Sequence, residues 1–158
     1  MLIMKGCPVL VVALFALCAV AEQEDKEKRV IYPGTKWCGA GNIADSDSDL
    51  GHHRMTDACC RTHDRCPHSI PPLQVSKTYN YFNFRPYSIS HCKCDQAFYA
   101  CLASVGSNAA KDVGKVFFNI LKVPCFIPLS SEDCYHDWSN WFKYVCKQNI
   151  SLKDAKEF

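Results

Sequence analysis

Eight residues, Cys59-Cys60-Arg61-Thr62-His63-Asp64-Arg65-Cys66, set a histidine and a carboxylate side by side between cysteines. Histidine exchanges protons near neutral pH, and a carboxylate beside it holds a cation or orients a ring. The cysteines are either disulfide halves that lock the pair or thiolate ligands of a structural metal. On a helix, residues four apart share a face, so Cys59 lies over His63 and Cys60 over Asp64. His63 and Asp64 are sequence neighbours and point about 100° apart, so they serve separate tasks. His63 is a candidate general base that needs some other carboxylate to fix its tautomer. Asp64 is left to hold a metal ion. Asp95, directly after Cys94, is the candidate orienter if its helix lies beside that of His63. A third element is Trp37-Cys38-Gly39-Ala40-Gly41-Asn42. Its alternating glycines let the backbone approach a ligand closely. Its carbonyl oxygens suit a hard cation such as Ca²⁺, with Asp64 as the charged ligand.

The N-terminus bears on the choice between disulfides and thiolates. Lys5 precedes a nearly unbroken apolar run from Cys7 to Val20, and Ala19-Val20-Ala21 has the small-x-small form of a cleavage site. Residues 1–21 therefore read as a signal peptide; the run is short for a membrane span. Residues 22–29 are polar and mostly charged, and end in Lys28-Arg29 before apolar Val30-Ile31. They read as a pro-segment, which leaves residues 30–158 as the mature domain and its tail. Of 12 cysteines, Cys7 and Cys18 leave with the leader, and ten remain in a chain expected to be secreted and extracellular. Disulfides are expected there and reduced zinc thiolates are not. The spacing leaves their connectivity open. The formal net charge of +2 is too weak to argue for nucleic acid. It is compatible with approach to an anionic membrane surface.

The elements that must position these residues follow from pattern. Residues 31–54 are rich in Gly, Asp, Asn and Ser and read as loop. Asp45-Ser46-Asp47-Ser48-Asp49 resembles a calcium loop but fails the EF-hand pattern, with Leu50 where glycine is needed and Thr56 where glutamate is. Thr56 offers an N-cap for a helix over 57–66, which must stop before Pro67. Cys94, Phe98, Cys101 and Val105 recur at three and four residues and predict a helix over 92–105. A further helix is expected over 108–121. Tyr79 to Phe84 reads as extended, with Tyr79, Tyr81, Phe82, Phe84 and Ile31 available either for lipid contact or for β packing. The tail tryptophans Trp138 and Trp141 are expected in the core.

Taken together, these segments resemble the group III secreted phospholipases A2, of which the bee-venom enzyme is the familiar member. The residues that carry the likeness are Trp37-Cys38-Gly39-x-Gly41-Asn42, Asp57-Ala58-Cys59-Cys60-Arg61-Thr62-His63-Asp64-x-Cys66-Pro67, Cys92-x-Cys94-Asp95-x-x-Phe98-Tyr99-x-Cys101-Leu102 and Gly114-Lys115-x-x-Phe118-Asn119. The resemblance runs from about Ile31 to Cys125. It implies a mainly α, disulfide-rich fold with a small β component, two long antiparallel helices bridged by disulfides, and a calcium-binding loop. It implies catalysis by His63 and Asp95, Ca²⁺ on the carbonyls of Trp37, Gly39 and Gly41 and the carboxylate of Asp64, and oxyanion support from the Gly39 N–H. It also implies the pairs Cys38–Cys60, Cys59–Cys101, Cys66–Cys94, Cys92–Cys125 and Cys134–Cys146. The expected activity is sn-2 ester hydrolysis at a phospholipid membrane surface, by a peripherally bound monomer, giving a fatty acid and a lysophospholipid.

Phe117 departs from the pattern. Family members usually carry a tyrosine there whose hydroxyl bonds the orienting aspartate, so activity is expected to be tuned rather than abolished. His52, His53, His68, His91 and His136 read as surface or loop residues. Asn149-Ile150-Ser151 is the one N-x-S/T site, which makes Asn149 a candidate glycan acceptor. The competing functional class is a binding protein on the same scaffold. Loss of His63, Asp64 or Asp95 would have signalled it, and all three are present.

Overall fold

The helix that carries His63, α1, spans Arg54–Asp64 in the computed structural model, which describes residues 29–136 and 144–158. The signal peptide and all of the pro-segment but Arg29 lie outside the described residues, as do Trp138 and Trp141. Helix α1 starts earlier than the sequence suggests. His53 holds the N-cap position without a side-chain cap. Thr56 is not the cap: it lies within the helix, 1% exposed, with its hydroxyl 3.2 Å from that of Ser107. Tertiary contact has claimed the group that local chemistry would have used as a cap. The helix also stops two residues short of Cys66, whose N–H turns back to the His63 carbonyl at 2.9 Å.

Helix α2 spans Cys92–Val105, and the His91 ring nitrogen Nδ1 caps it by accepting from the Lys93 N–H at 3.0 Å. His91 is thus more than a loop residue. It accepts only when that nitrogen is unprotonated, and burial and Lys93 hold its pKa below the ordinary histidine value. Helix α3, Asn108–Gly114, is capped by the Ser107 hydroxyl, then widens into a π turn over Lys115–Ile120. The expected single helix over 108–121 is therefore two kinds of turn. Beside this junction the Phe158 ring lies against Gly114, and the Phe158 N–H donates to Asn119 Oδ1 at 2.7 Å.

Among the described residues three two-stranded antiparallel sheets complete the fold. Strands β1 (Ser69–Ile70) and β4 (Ile89–Ser90) pair, as do β2 (Gln74–Val75) and β3 (Phe82–Asn83). The tail forms a hairpin, β5 (Cys125–His136) with β6 (Tyr144–Lys153), with Cys134 opposite Cys146. This hairpin gives β structure a larger share than the sequence reading allowed, since its strands lack a strict alternation. Asn149 lies in β6, where its amide is 3.4 Å from Asn80 and 3.5 Å from Ser131.

Among the described residues five disulfides join the parts: Cys38–Cys60, Cys59–Cys101, Cys66–Cys94, Cys92–Cys125 and Cys134–Cys146. The second ties α1 to α2, and the third ties the turn just after α1 to the first turn of α2. Such crosslinks restrict the unfolded chain and stabilise a small domain by roughly 2–4 kcal/mol each. One buried cluster, with Trp37, Phe98, Leu102, Val113 and Phe118, lies among the helices. A second, Ile70, Tyr79, Ile89 and Phe126, lies under the small strands. In the aromatic segment Tyr79 is buried, whereas Phe82 and Phe84 are 50% and 64% exposed. Among the described residues no helix is long and apolar enough to cross a membrane.

Candidate active site

His63 lies in the last turn of α1 and Asp95 in the first turn of α2. Cys59–Cys101 and Cys66–Cys94 bring the side chains together, with His63 Nε2 2.8 Å from Asp95 Oδ1. A carboxylate only accepts, so Nε2 carries the proton and Nδ1 is left with a lone pair. The ring is held on two further sides. It stacks on Phe98 at 4.5 Å and meets the edge of Phe117 at 5.1 Å. Phe98 was legible in the sequence only as a core position of α2; its contact with the imidazole depends on where α1 lies. Asp95 is 6% exposed, and burial pushes its carboxyl above the usual carboxylate range while the His63 hydrogen bond pulls it back.

His63 opens into an apolar cleft of about 330 Å³. Trp37, Gly39 and Asp64 line the same cleft, with Val30, Ile31, Val116 and Phe117 among its walls. The glycine loop reaches this position because its backbone is packed closely: a Cβ on Gly39 would overlap the Val30 carbonyl and Ile31 Cα, and Gly41 has φ +81°. Neither place accepts an ordinary side chain without strain.

The loop is anchored by a residue that the sequence analysis names only within the Asp57–Pro67 motif. Asp57, fully buried in the first turn of α1, accepts from the Lys36, Trp37 and Gly51 N–H groups at 2.8–3.0 Å. Its partners are all backbone, so no residue type in the sequence marks them. We expect Asp57→Ala to leave three N–H donors without their acceptor and to lower stability by about 3 kcal/mol or more, read from the denaturant midpoint at constant m. A shift under about 0.5 kcal/mol, the size of an ordinary surface change, would remove Asp57 as the anchor.

Trp37 and Gly39 line the cleft with Asp64, whereas Gly41 does not border it, and two observations bear on whether these donors suit a hard cation. First, some loop carbonyls are spent and others are not. Those of Lys36, Cys38 and Asn42 accept from Ile43, Tyr32 and Arg29, whereas those of Trp37, Gly39 and Gly41 accept no hydrogen bond among the described residues. Second, the Asp64 carboxylate has no hydrogen-bond donor among the described residues. It is open to the cleft, yet enough protein surrounds it that desolvation raises its carboxyl to about 7, with Asp57 adding to the rise and His63 opposing it. Three spare carbonyl oxygens and an uncompensated carboxylate are the ligand chemistry of Ca²⁺. The Gly39 N–H is likewise unused among the described residues.

The acidic loop has a different role from a cation site. Asp49 pairs with Lys36 at 2.6 Å, and Asp47 pairs with Arg65, whose guanidinium lies 5.4 Å from the centre of the Trp37 ring. These contacts brace the glycine loop from outside.

The profile of the family described as Phospholipase A2 matches residues 31–128. The chain is 44% identical to the phospholipase A2 isozymes PA3A/PA3B/PA5 of Heloderma suspectum over 126 residues, which is 80% of this chain and 85% of that one. It is 45% identical over 109 residues to the group 3 secretory phospholipase A2 of Homo sapiens, covering 69% of this chain and 21% of that protein. It is 42% identical over 101 residues to the phospholipase A2 of Apis mellifera, covering 63% of this chain and 59% of that one.

Proposed function

The chain belongs to the phospholipase A2 family, and from that premise we propose that it is a secreted, Ca²⁺-dependent enzyme that hydrolyses the sn-2 ester of glycerophospholipids at membrane surfaces, with its mature domain starting at Val30. The observation that carries this reading is the His63–Asp95 hydrogen bond of 2.8 Å, placed so that the imidazole opens into an apolar cleft.

Asp95 keeps the proton on His63 Nε2 and stabilises the imidazolium that forms when Nδ1 takes a proton from water. The water oxygen adds to the ester carbonyl carbon, and the Gly39 N–H donates to the carbonyl oxygen as negative charge develops there. His63 then returns its proton to the departing glycerol oxygen as the acyl C–O bond breaks. The products are a fatty acid and a lysophospholipid. Trp37, Gly39 and Gly41, through their carbonyls, and Asp64, through its carboxylate, would hold Ca²⁺. When bound, that ion supplies positive charge for the substrate phosphate and the developing oxyanion.

Phe98 and Phe117 limit the ring to one orientation, which shortens the search for a productive geometry. Apolar walls admit an acyl chain. Val30 and Val116, which line the cleft, are 80% and 43% exposed, and Ile120 and Leu121, one turn on from Val116, are 72% and 52% exposed. This rim supports peripheral docking of the cleft against lipid by a monomer, without a membrane span.

Vesicles of phospholipid labelled in the sn-2 chain test the regiochemistry. We expect labelled fatty acid and an equal amount of unlabelled lysophospholipid in the presence of Ca²⁺. Release of the sn-1 chain instead would overturn the assignment.

A further inference from the structure

We propose that a second cavity, behind the His63–Asp95 pair, binds a single-chain fatty carboxylate and slows the front site through Asp95. Neighbouring residues on two elements turn to opposite sides of the pair. Phe98 and Phe117 line the front cleft, whereas Tyr99 and Phe118 line a separate cavity of about 370 Å³. That cavity lies between α2 and the segment after β6, with Ile127 completing its apolar wall. Its volume falls in the range of small-ligand sites.

Asp95 borders this rear cavity, and His63 borders the front one. Asp95 spends Oδ1 on His63, and its Oδ2 accepts no hydrogen bond among the described residues. A buried carboxylate with one unspent oxygen thus borders a space whose contents affect its solvation. Lys153 and Lys156 stand at the same cavity, with Lys156 Nζ 5.3 Å from the centre of the Tyr99 ring. Among the described residues neither lysine has a carboxylate within ion-pair distance, and Asp154, which borders the cavity between them, has no cation within that distance. Two unpaired cations beside an apolar wall suit an anionic head on one acyl chain. The proposed reaction releases such a molecule, so the source of the ligand rests on that reading; the site itself does not.

An acyl chain in the cavity excludes water from Asp95. Charge on Asp95 then costs more, and its support for imidazolium weakens. The coupling is reciprocal, so conditions that stabilise the charged pair weaken fatty-acid binding by the same factor.

The test is amide NMR of the full mature protein titrated with oleate, without Ca²⁺ or vesicles, so that it reads binding even if the enzyme reading fails. We expect shifts at Ile127 and residues 153–156. Lys153→Glu with Lys156→Glu should weaken binding by about tenfold or more, the scale of one to two kcal/mol for reversing both charges. Hydrolysis by that variant should match the parent in the absence of added oleate and resist inhibition by it. Ile127→Trp, which fills the cavity, should abolish the same shifts. Shifts confined to the neighbourhoods of Val30, Gly39 and Val116 would overturn the proposal. So would equally tight binding of oleyl alcohol, which lacks the charge, or of lysophosphatidylcholine, which would assign the site to the other product.

Discussion

His63→Gln is expected to lower fatty-acid release from phospholipid vesicles by about 10³–10⁴-fold, the contribution of a positioned base whose partner and oxyanion donors remain. Glutamine keeps a polar side chain that can still donate to Asp95, now bonded to His63 at 2.8 Å. It has no nitrogen that takes a proton at neutral pH, so water is no longer activated. The fold should survive, because Cys59–Cys101 and Cys66–Cys94 hold α1 against α2 whatever the side chain at position 63. Far-ultraviolet dichroism and the thermal midpoint check that. Vesicle association should also survive, since it draws on the apolar rim. A variant that binds vesicles and does not hydrolyse them is the expected result. Hydrolysis at the parent rate would instead leave a binding scaffold whose His63 is structural, and another group would have to supply the base.

Removal of Ca²⁺ by EDTA is expected to have an effect of similar size, and it carries a pH signature. The Asp64 carboxyl is raised to about 7, because desolvation by the surrounding protein disfavours its charged form. A cation binds the carboxylate, not the acid. Apparent Ca²⁺ affinity should therefore fall by about tenfold per pH unit below 7 and level off above it. Calorimetric titration of the metal-free protein across about pH 5 to 9 reads this directly. Asp64→Asn should show weak binding without that slope. An affinity that is flat with pH in the parent protein would remove Asp64 from the ligand set.

The same shift has the opposite sign for stability of the metal-free chain. Asp64 titrates near 7 when folded and near 3.9 when unfolded. Below about pH 4 both states are protonated and the full contribution to folding is present. Between about pH 4 and 7 the unfolded state is ionised while the folded state still holds the proton, so that contribution falls with pH and is lost once pH passes the folded value. Asp95 is displaced upward as well and acts in the same sense. Ca²⁺ bound at Asp64 would offset that loss by favouring the folded state.

Helix α2 was legible to the residue, since its apolar positions recur at helical spacing and Pro and Gly are absent from its interior. The first helix was legible in place but not at its ends, because Thr56 bonds Ser107, far along the chain, rather than its own first turn. The β5–β6 hairpin was not legible. Its register rests on Cys134 facing Cys146 and on packing against the small strands, neither of which has a local periodicity. Asp57 shows the same limit inside the site: its three donors are peptide N–H groups that every residue but proline carries, so their convergence leaves no mark in the residue types.

The sequence by itself determined the chemical inventory: a base at His63, carboxylates at Asp64 and Asp95, a glycine loop at 37–42, and enough cysteines to hold them. It could do so because residue type and helical spacing are local properties. Only the tertiary structure decided which oxygens are left unspent. Whether the carbonyls of Trp37, Gly39 and Gly41 already accept a hydrogen bond, and whether Asp64 and Asp95 have donors, depends on groups distant in the chain. Cys59–Cys101 and Cys66–Cys94 hold α1 and the turn after it against α2, and so bring a histidine and an aspartate 32 positions apart to 2.8 Å. They also set the two cavities on either side of that pair.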